Sequence, residues 1–381
     1  MRIRHLDVIA SLGGLVVAAW LCGTGNVVAA TSTWTGGGGD ANWTTGGNWG
    51  GTAPSAGDDL VFPGGAAQLS NTNNFPSSTS FNSIMFTGSS GGYTLGGNAI
   101  QLVAGVTVAN STGVQVISFD IALAASQTFT CPIDRLFIGN VDLGSWTLTL
   151  SVPNIPAVIQ QNGSTSGTGS LITTGSGFVY LGASTYSGPT TSNETGFFTP
   201  AGLNTASVVT INSGLIQLIN GASVGPVTVE NGAAMYSGGG GISQIGNVTD
   251  LMMQSGSQLL MDMNSTSDYG RLNASGTVSV GGVLLLFNWH FTSSVGNTFT
   301  ILHKASAGAI TGTFVGKPEG AIFTDNGRTY QITYVGGSGN DVVITDIEGP
   351  AIPLLEAGGL AALAAVLALV GFALLRRRLA T

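Results

Sequence analysis

No stretch between Thr31 and Gly349 holds a sustained 3.6-residue apolar period. A chain without that period cannot cover a core with amphipathic helices. The apolar residues fall instead in short alternating runs such as "VQVISFDIAL", "WTLTLSV", "SVVTINSGLIQLI", "VTVENGAAMY", "YQITYV" and "DVVITD". Each run is bounded by Gly, Asn, Ser or Asp, the residues that turn a chain tightly between strands. The ectodomain is therefore expected to be all-β.

A recurring motif narrows the architecture. A polar residue, Ser or Asn, then Gly and an apolar run recur at "NSGLIQL", "ENGAAMY", "QSGSQLL" and "ASGTVSV"; their glycines, Gly214, Gly232, Gly256 and Gly276, are spaced by 18, 24 and 20 residues. One coil of a parallel β-solenoid takes about twenty residues and turns its corners at Gly or Asn, which tolerate the left-handed conformation. The spacing predicts a β-solenoid with these four glycines at its corners. A β-sandwich, with two strands per period, is the alternative.

Both ends of the chain differ from this middle. Arg2 and Arg4 precede an apolar stretch from Val8 to Leu21, and Val28-Ala29-Ala30 supplies the small side chains at −3 and −1 that a signal peptidase accepts. Residues 1–30 read as a signal peptide cut after Ala30. At the other end, 19 charge-free residues from Ala357 to Leu375 are followed at once by Arg376, Arg377 and Arg378. About 20 apolar residues cross the hydrocarbon core of a bilayer as a helix, and arginines beyond a span favour the cytoplasmic side. The chain is expected to be exported and held by a transmembrane helix over 357–375.

Charge limits the partners. Of 381 residues, 60 are Gly and only 7% are charged. Between Thr31 and Gly349 five Lys and Arg stand against sixteen Asp and Glu, a net of −11. Such a surface repels an anionic polymer, so nucleic acid is not an expected partner. With Cys22 removed in the signal, Cys131 is alone, which leaves no intramolecular disulfide and a small apolar residue beside a strand.

Several segments together resemble a known group. "GSGFVYLGASTYSGPTT" (175–191) is similar to the autotransporter-associated β-strand repeat, with Ser184 in the usual Asn place. "STWTGGGGDANWTTGGNWGGTAPSAGDDLVF", with Trp34, Trp43 and Trp49, resembles the opening of the same passenger-type proteins, and "SDYGRLNASGTVSVGG", "GNTFTIL", "GTFVGKPEGAIF" and "YQITYVGGSGNDVVIT" resemble their final segment in order. The resemblance implies a right-handed parallel β-solenoid. A true autotransporter ends in a membrane β-barrel of eight or more strands, whereas only 36 residues follow Thr345 and they read as a helix. The tail instead resembles an exosortase-type sorting signal of Gram-negative bacteria. "IPLLEAGG" is close to the I-P-T-L-x-x-W-G variant, with Leu354 in the Thr place and no Trp. By that resemblance Ile352, Pro353 and Arg376–Arg378 are the sorting residues, and a protease-like sorting enzyme cuts near Pro353.

Little in the chain carries recognisable chemistry. "GGSGNDVVI" (336–344) fits a calcium-binding nonapeptide, but one copy supplies half a coordination shell. Asp341 is thus a weak metal candidate, expected to cap its own backbone in a turn. Asp262, Asp268 and Arg271 offer a carboxylate pair for glycoside hydrolysis, or lyase calcium ligands with an arginine base, against the plainer reading of a coil corner. Asp58 and Asp59 also read as solvated corner residues. His290 and His303 lack a second ligand at metal spacing. The three tryptophans fit either an exposed sugar-stacking platform or a cap over the open solenoid end, and the cap is favoured.

The expected organisation is a signal peptide (1–30), an N-terminal solenoid part with a Trp/Gly-rich cap (31–170), a C-terminal solenoid part (171–349) and a sorting segment (350–381). The expected function is non-enzymatic and without cofactor: a structural or adhesive protein of the cell surface or extracellular matrix, partnered by the membrane, a sorting protease and exopolysaccharide. A polysaccharide-active β-helix enzyme and a permanently anchored inner-membrane protein with a periplasmic domain are the alternatives.

Overall fold

The computed structural model describes residues 29–348 apart from 89–90, 110–112, 219 and 240–244. The signal helix, the span over 357–375 and the sorting residues Ile352, Pro353 and Arg376–Arg378 lie outside the described residues. Among the described residues no helix is long and apolar enough to cross a membrane.

Those residues form a parallel β-solenoid of about ten turns. One ladder runs in register through Leu60, Ile84, Val106, Phe129, Leu150, Thr173, Ser192, Ile211, Val229 and Met253. A second stacks Leu136, Ile159, Val179, Phe198, Ile216, Met235, Leu259 and Leu285. A third passes through Ile100, Ile121, Val141 and Thr165 and resumes at Val224, Val248 and Ala274. Parallel pairing of strands one turn apart is incompatible with a sandwich of antiparallel hairpins, so that alternative is excluded.

The alternation seen in sequence fixes the inside. In Thr147–Val152 every second residue is buried, and Leu148, Leu150 and Val152 enter one continuous core. Turn length varies because loops between ladders absorb most insertions, with register shifts within the ladders between Phe81 and Ser83 and between Ser192 and Phe197. The offset between stacked partners is 24 residues from Leu60 to Ile84, 18 from Ile211 to Val229 and 27 from Leu251 to Val278. The ladder Leu150–Thr173–Ser192 runs unbroken past residue 170, so the two solenoid parts share one core.

Three of the four expected corner glycines hold the left-handed conformation: Gly214 (φ +72°), Gly232 (φ +82°) and Gly256 (φ +87°). The fourth is Gly282 (φ +76°), not Gly276. The N–H of Gly232 bonds to the Gly256 carbonyl and that of Gly256 to the Gly282 carbonyl, which aligns these corners on successive turns. Gly276 has no positive φ. A Cβ there would lie 2.4 Å from Asp250 Oδ1 and 2.9 Å from the Thr249 carbonyl, so close approach, not backbone handedness, is what calls for glycine.

Both ends of the described solenoid are closed. At the N-terminal end Trp34, Trp43 and Trp49 are buried against Phe62, with Trp43 also against Phe81 and Phe119. All three indole N–H groups are satisfied, by the Gln68 carbonyl, Asn71 Oδ1 and the Trp43 carbonyl. The tryptophans are thus a plug and not an exposed platform. At the other end the pairing switches to antiparallel: Thr298–Lys304 pairs with Asp341–Glu348, which pairs with Arg328–Gly336, which pairs with Ile322–Asp325. Arg328 and Asp346 make a buried two-pronged ion pair within this meander, at 2.9 Å on both prongs.

Candidate functional site

The isolated nonapeptide does not leave its aspartate free. Asp341 is buried and accepts the Lys304 backbone N–H at 3.0 Å, while its two oxygens lie 3.0 and 3.1 Å from His303 Nδ1. The expected cap on its own backbone is replaced by a tie to the neighbouring antiparallel strand. Next to it the buried Lys304 ammonium donates to the carbonyls of Ser306, Ala307 and Gly308, each at 2.9 Å. The loop therefore encloses a cation belonging to the protein itself. No group of three or more His, Cys, Asp or Glu able to hold a metal occurs among the described residues.

The second candidate cluster also separates. Asp262 is buried and accepts from Tyr236 Oη (2.6 Å), the Gly239 N–H (2.9 Å) and Asn288 Nδ2 (2.9 Å). Burial, then the Asp262 bond and charge, push the Tyr236 phenol well above its ordinary range. His290 Nε2 lies 3.6 Å from Asp262 Oδ1 and 3.0 Å from Asn288 Nδ2. Asp268 instead closes a local turn with Asn264 at 3.1 Å and Ser265 at 2.9 Å. Arg271 Nε is buried without a hydrogen-bond partner. No bond joins Asp262, Asp268 and Arg271 into an acid–base set.

The remaining candidates have structural surroundings. Asp58 accepts from Ser32 Oγ and the Ser55 N–H, and Asp59 from Asn82 and Ser83 on the next turn. They tie neighbouring turns together and are half-buried, where solvated corners were expected. Cys131 is fully buried, and burial pushes its thiol up to about 11, which makes it a poor nucleophile. The Ala30 carbonyl accepts the Asp59 N–H at 2.8 Å.

One ionisable group had no signal in the sequence. Thr190, Ser192 and Glu194 all point inward from the strand Thr190–Pro200, stacked on Leu171, Thr173 and Gly175. Both Glu194 carboxyl oxygens, Thr173 Oγ1 and Ser192 Oγ are buried without a hydrogen-bond partner. Burial raises the Glu194 pKa to about 8; the Thr173 hydroxyl pulls weakly the other way from outside hydrogen-bond geometry.

The most site-like surface is a lateral groove along the axis. Val116, Phe137, Gln160, Tyr180 and Thr199 stack in register on the outer side of five successive turns. Where these strands end, two clefts open, one of about 270 Å³ reached by Phe137 and Asn140 and one of about 340 Å³ reached by Gln160, Tyr180, Thr199 and Asn220. Asn162 lines both, so the two clefts lie side by side. Glycines form the floor: a Cβ on Gly163 would lie 2.5 Å from Asn140 Oδ1, and one on Gly182 2.0 Å from the Gly163 carbonyl. Beside the second cleft Phe178 stacks on Tyr180 (6.5 Å, 13°) and on Phe197 (5.3 Å, 20°), forming a cluster of near-parallel rings. Sequence reading missed these residues because they meet only through pairing across turns. A comb of aromatic and amide residues at the turn period was the available signal.

No family model and no curated protein matches this chain.

Proposed function

We propose that this protein is a non-enzymatic, exported structural component of the cell surface or extracellular matrix, built as a right-handed β-solenoid and processed at its C-terminal sorting segment. The observation that carries this reading is the capped solenoid. About ten turns at the ~4.8 Å spacing of paired strands make a rod of roughly 50 Å. A tryptophan plug at one end and an antiparallel meander at the other discourage end-to-end addition of further strands. A spacer or scaffold needs that shape, with a polar uncharged exterior and a long uniform core. The carboxylates that an enzyme would hold free, Asp262 and Asp341, are engaged by donors of the protein itself. The termini supply the route: a signal peptide ending at Ala30, a membrane helix over 357–375, and Ile352, Pro353 and Arg376–Arg378 as the features read by an exosortase-like protease.

The test is N-terminal sequencing and intact mass of the protein recovered from cytosol, envelope and medium of a Gram-negative host carrying such a sorting protease. The expected mature chain begins at Thr31 and lacks Arg376–Arg378. A full-length chain in the cytosol would refute export. One retained in the inner membrane with its arginines would establish the permanently anchored alternative instead.

A further inference from the structure

We propose that the lateral groove centred on Asn162 and Tyr180 is a binding site for a neutral, linear polysaccharide lying along the solenoid axis. This deepens the extracytoplasmic reading above and rests on it.

Three observations converge on that ligand. The first is charge. No carboxylate, ammonium or guanidinium lines either cleft. Asp120 accepts from Asn140 Nδ2 of the first cleft at 2.9 Å, and Asn140 Oδ1 accepts the Ser164 N–H at 2.9 Å. With a net of −11 between Thr31 and Gly349 and no local cation, an anionic glycan meets repulsion without a compensating partner. The surface complements an uncharged chain.

The second is the pairing of aromatic rings with amides. Tyr180 and Phe197 are each 37% exposed although their rings are large, and the Phe178 ring is nearly parallel to both. The part-exposed Tyr180 ring offers apolar contact to the C–H groups of a pyranose, while Gln160, Asn162 and Asn220 offer donors and acceptors to its hydroxyls. Gln160 Nε2 already bonds to Asn162 Oδ1 at 3.0 Å, which holds both amides toward the groove and leaves Asn162 Nδ2 and Gln160 Oε1 for a ligand.

The third is repetition. Each turn places one wall residue of the groove at the ~4.8 Å spacing of paired strands, a period on the scale of one sugar unit. The two clefts adjoin at Asn162, so a polymer lying along both would contact several turns at once. The glycine floor keeps the backbone low enough for that approach.

The experiment is native affinity electrophoresis of the purified full chain in gels cast with hydroxyethylcellulose, soluble starch or polygalacturonate. Retardation by at least one neutral glucan and none by polygalacturonate is expected. Tyr180→Ala and Asn162→Ala should each raise the half-retarding polymer concentration roughly three- to tenfold, the effect of losing one stacking or hydrogen-bonding partner. Ile322→Ala, an exposed apolar residue on the C-terminal meander, should change nothing. Asn162→Ala removes only an exposed amide and keeps the test valid should Tyr180→Ala misfold. Migration unaffected by both neutral glucans, retardation by polygalacturonate alone, or retardation indifferent to both groove variants would overturn the proposal. A chain found exported yet inert toward glucans refutes the groove alone; a chain confined to the cytosol refutes the exported function on which it rests.

Discussion

Replacing Glu194 by glutamine should make the protein more stable in mild alkali and leave it almost unchanged in mild acid. Glu194 is wholly buried, and burial moves its pKa from 4.5 to about 8. The folded chain therefore binds this proton more tightly than the unfolded chain does. Stability from this group is fully present below pH 4.5, declines as pH rises through the interval up to about 8, and is flat above it. At 1.36 kcal/mol per pKa unit, the shift corresponds to a loss on the order of 4–5 kcal/mol across that window. Glutamine keeps the shape and cannot ionise, so it removes the pH-dependent cost and nothing else of that size. Thermal unfolding followed by far-UV circular dichroism at several pH values would read it. Parent and Glu194→Gln should melt together near pH 4.5, and by pH 8.5 the variant should melt higher by on the order of 5–10 °C. A gap that is the same at both ends of the range would refute the reasoning, because a purely steric effect of the amide does not depend on pH.

Two further perturbations test the corners and the enclosed cation. Gly232 (φ +82°) has open space around its Cβ position, so Gly232→Val should cost 1–2 kcal/mol or so by backbone strain while Gly232→Asn costs less, and chemical denaturation would separate them. Gly276→Ala should instead act through Asp250, which accepts both the N–H and the hydroxyl of Thr277 at 2.6 Å; combined with Asp250→Ala its effect should be markedly non-additive. Lys304→Met leaves the Ala307 and Gly308 carbonyls without their donor, the Ser306 carbonyl keeping Asn340 Nδ2 at 2.6 Å, and should lower stability by roughly 1–3 kcal/mol, with Lys304→Arg failing to restore it because a planar guanidinium cannot converge on all three carbonyls. Melting temperatures unmoved by Lys304→Met would contradict this role.

What could be read from the sequence was whatever repeats locally. Alternating runs such as "WTLTLSV" revealed the strands because burial alternates within each strand, independent of its partners. Gly214, Gly232 and Gly256 were recognisable as corners for the same reason. Gly276 misled because the next turn is long. The corner after Gly256 comes 26 residues later at Gly282, while Gly276 stands nearer the average spacing with the same Ser-Gly signature. Contacts across turns were not legible. His303 and Asp341 are 38 residues apart and meet only because the pairing turns antiparallel at that point. Glu194 was hidden in "SNETGFF", whose composition reads as a loop, yet its strand continues the ladders on both sides.

That strand also explains how one chain accommodates an unpaired buried carboxyl. Thr190–Pro200 serves two ladders: Thr190, Ser192 and Glu194 point into the core, and after register shifts between Asn193 and Phe197 the same strand supplies Phe198 to the second ladder. From its second half Phe197 joins the cluster of stacked rings and Thr199 lines the groove. In a solenoid each turn contacts only its neighbours, so the cost of a poor core position is confined to adjacent turns and does not spread along the rod. The adjacent turns carry Leu171 and Val179 on one side and Ile211 and Ile216 on the other, all inside, enough apolar burial to hold the register around the polar patch. A globular domain with a single central core would have no such insulation. The solenoid thus keeps the outer geometry of the groove intact over a turn whose interior holds an unpaired carboxyl.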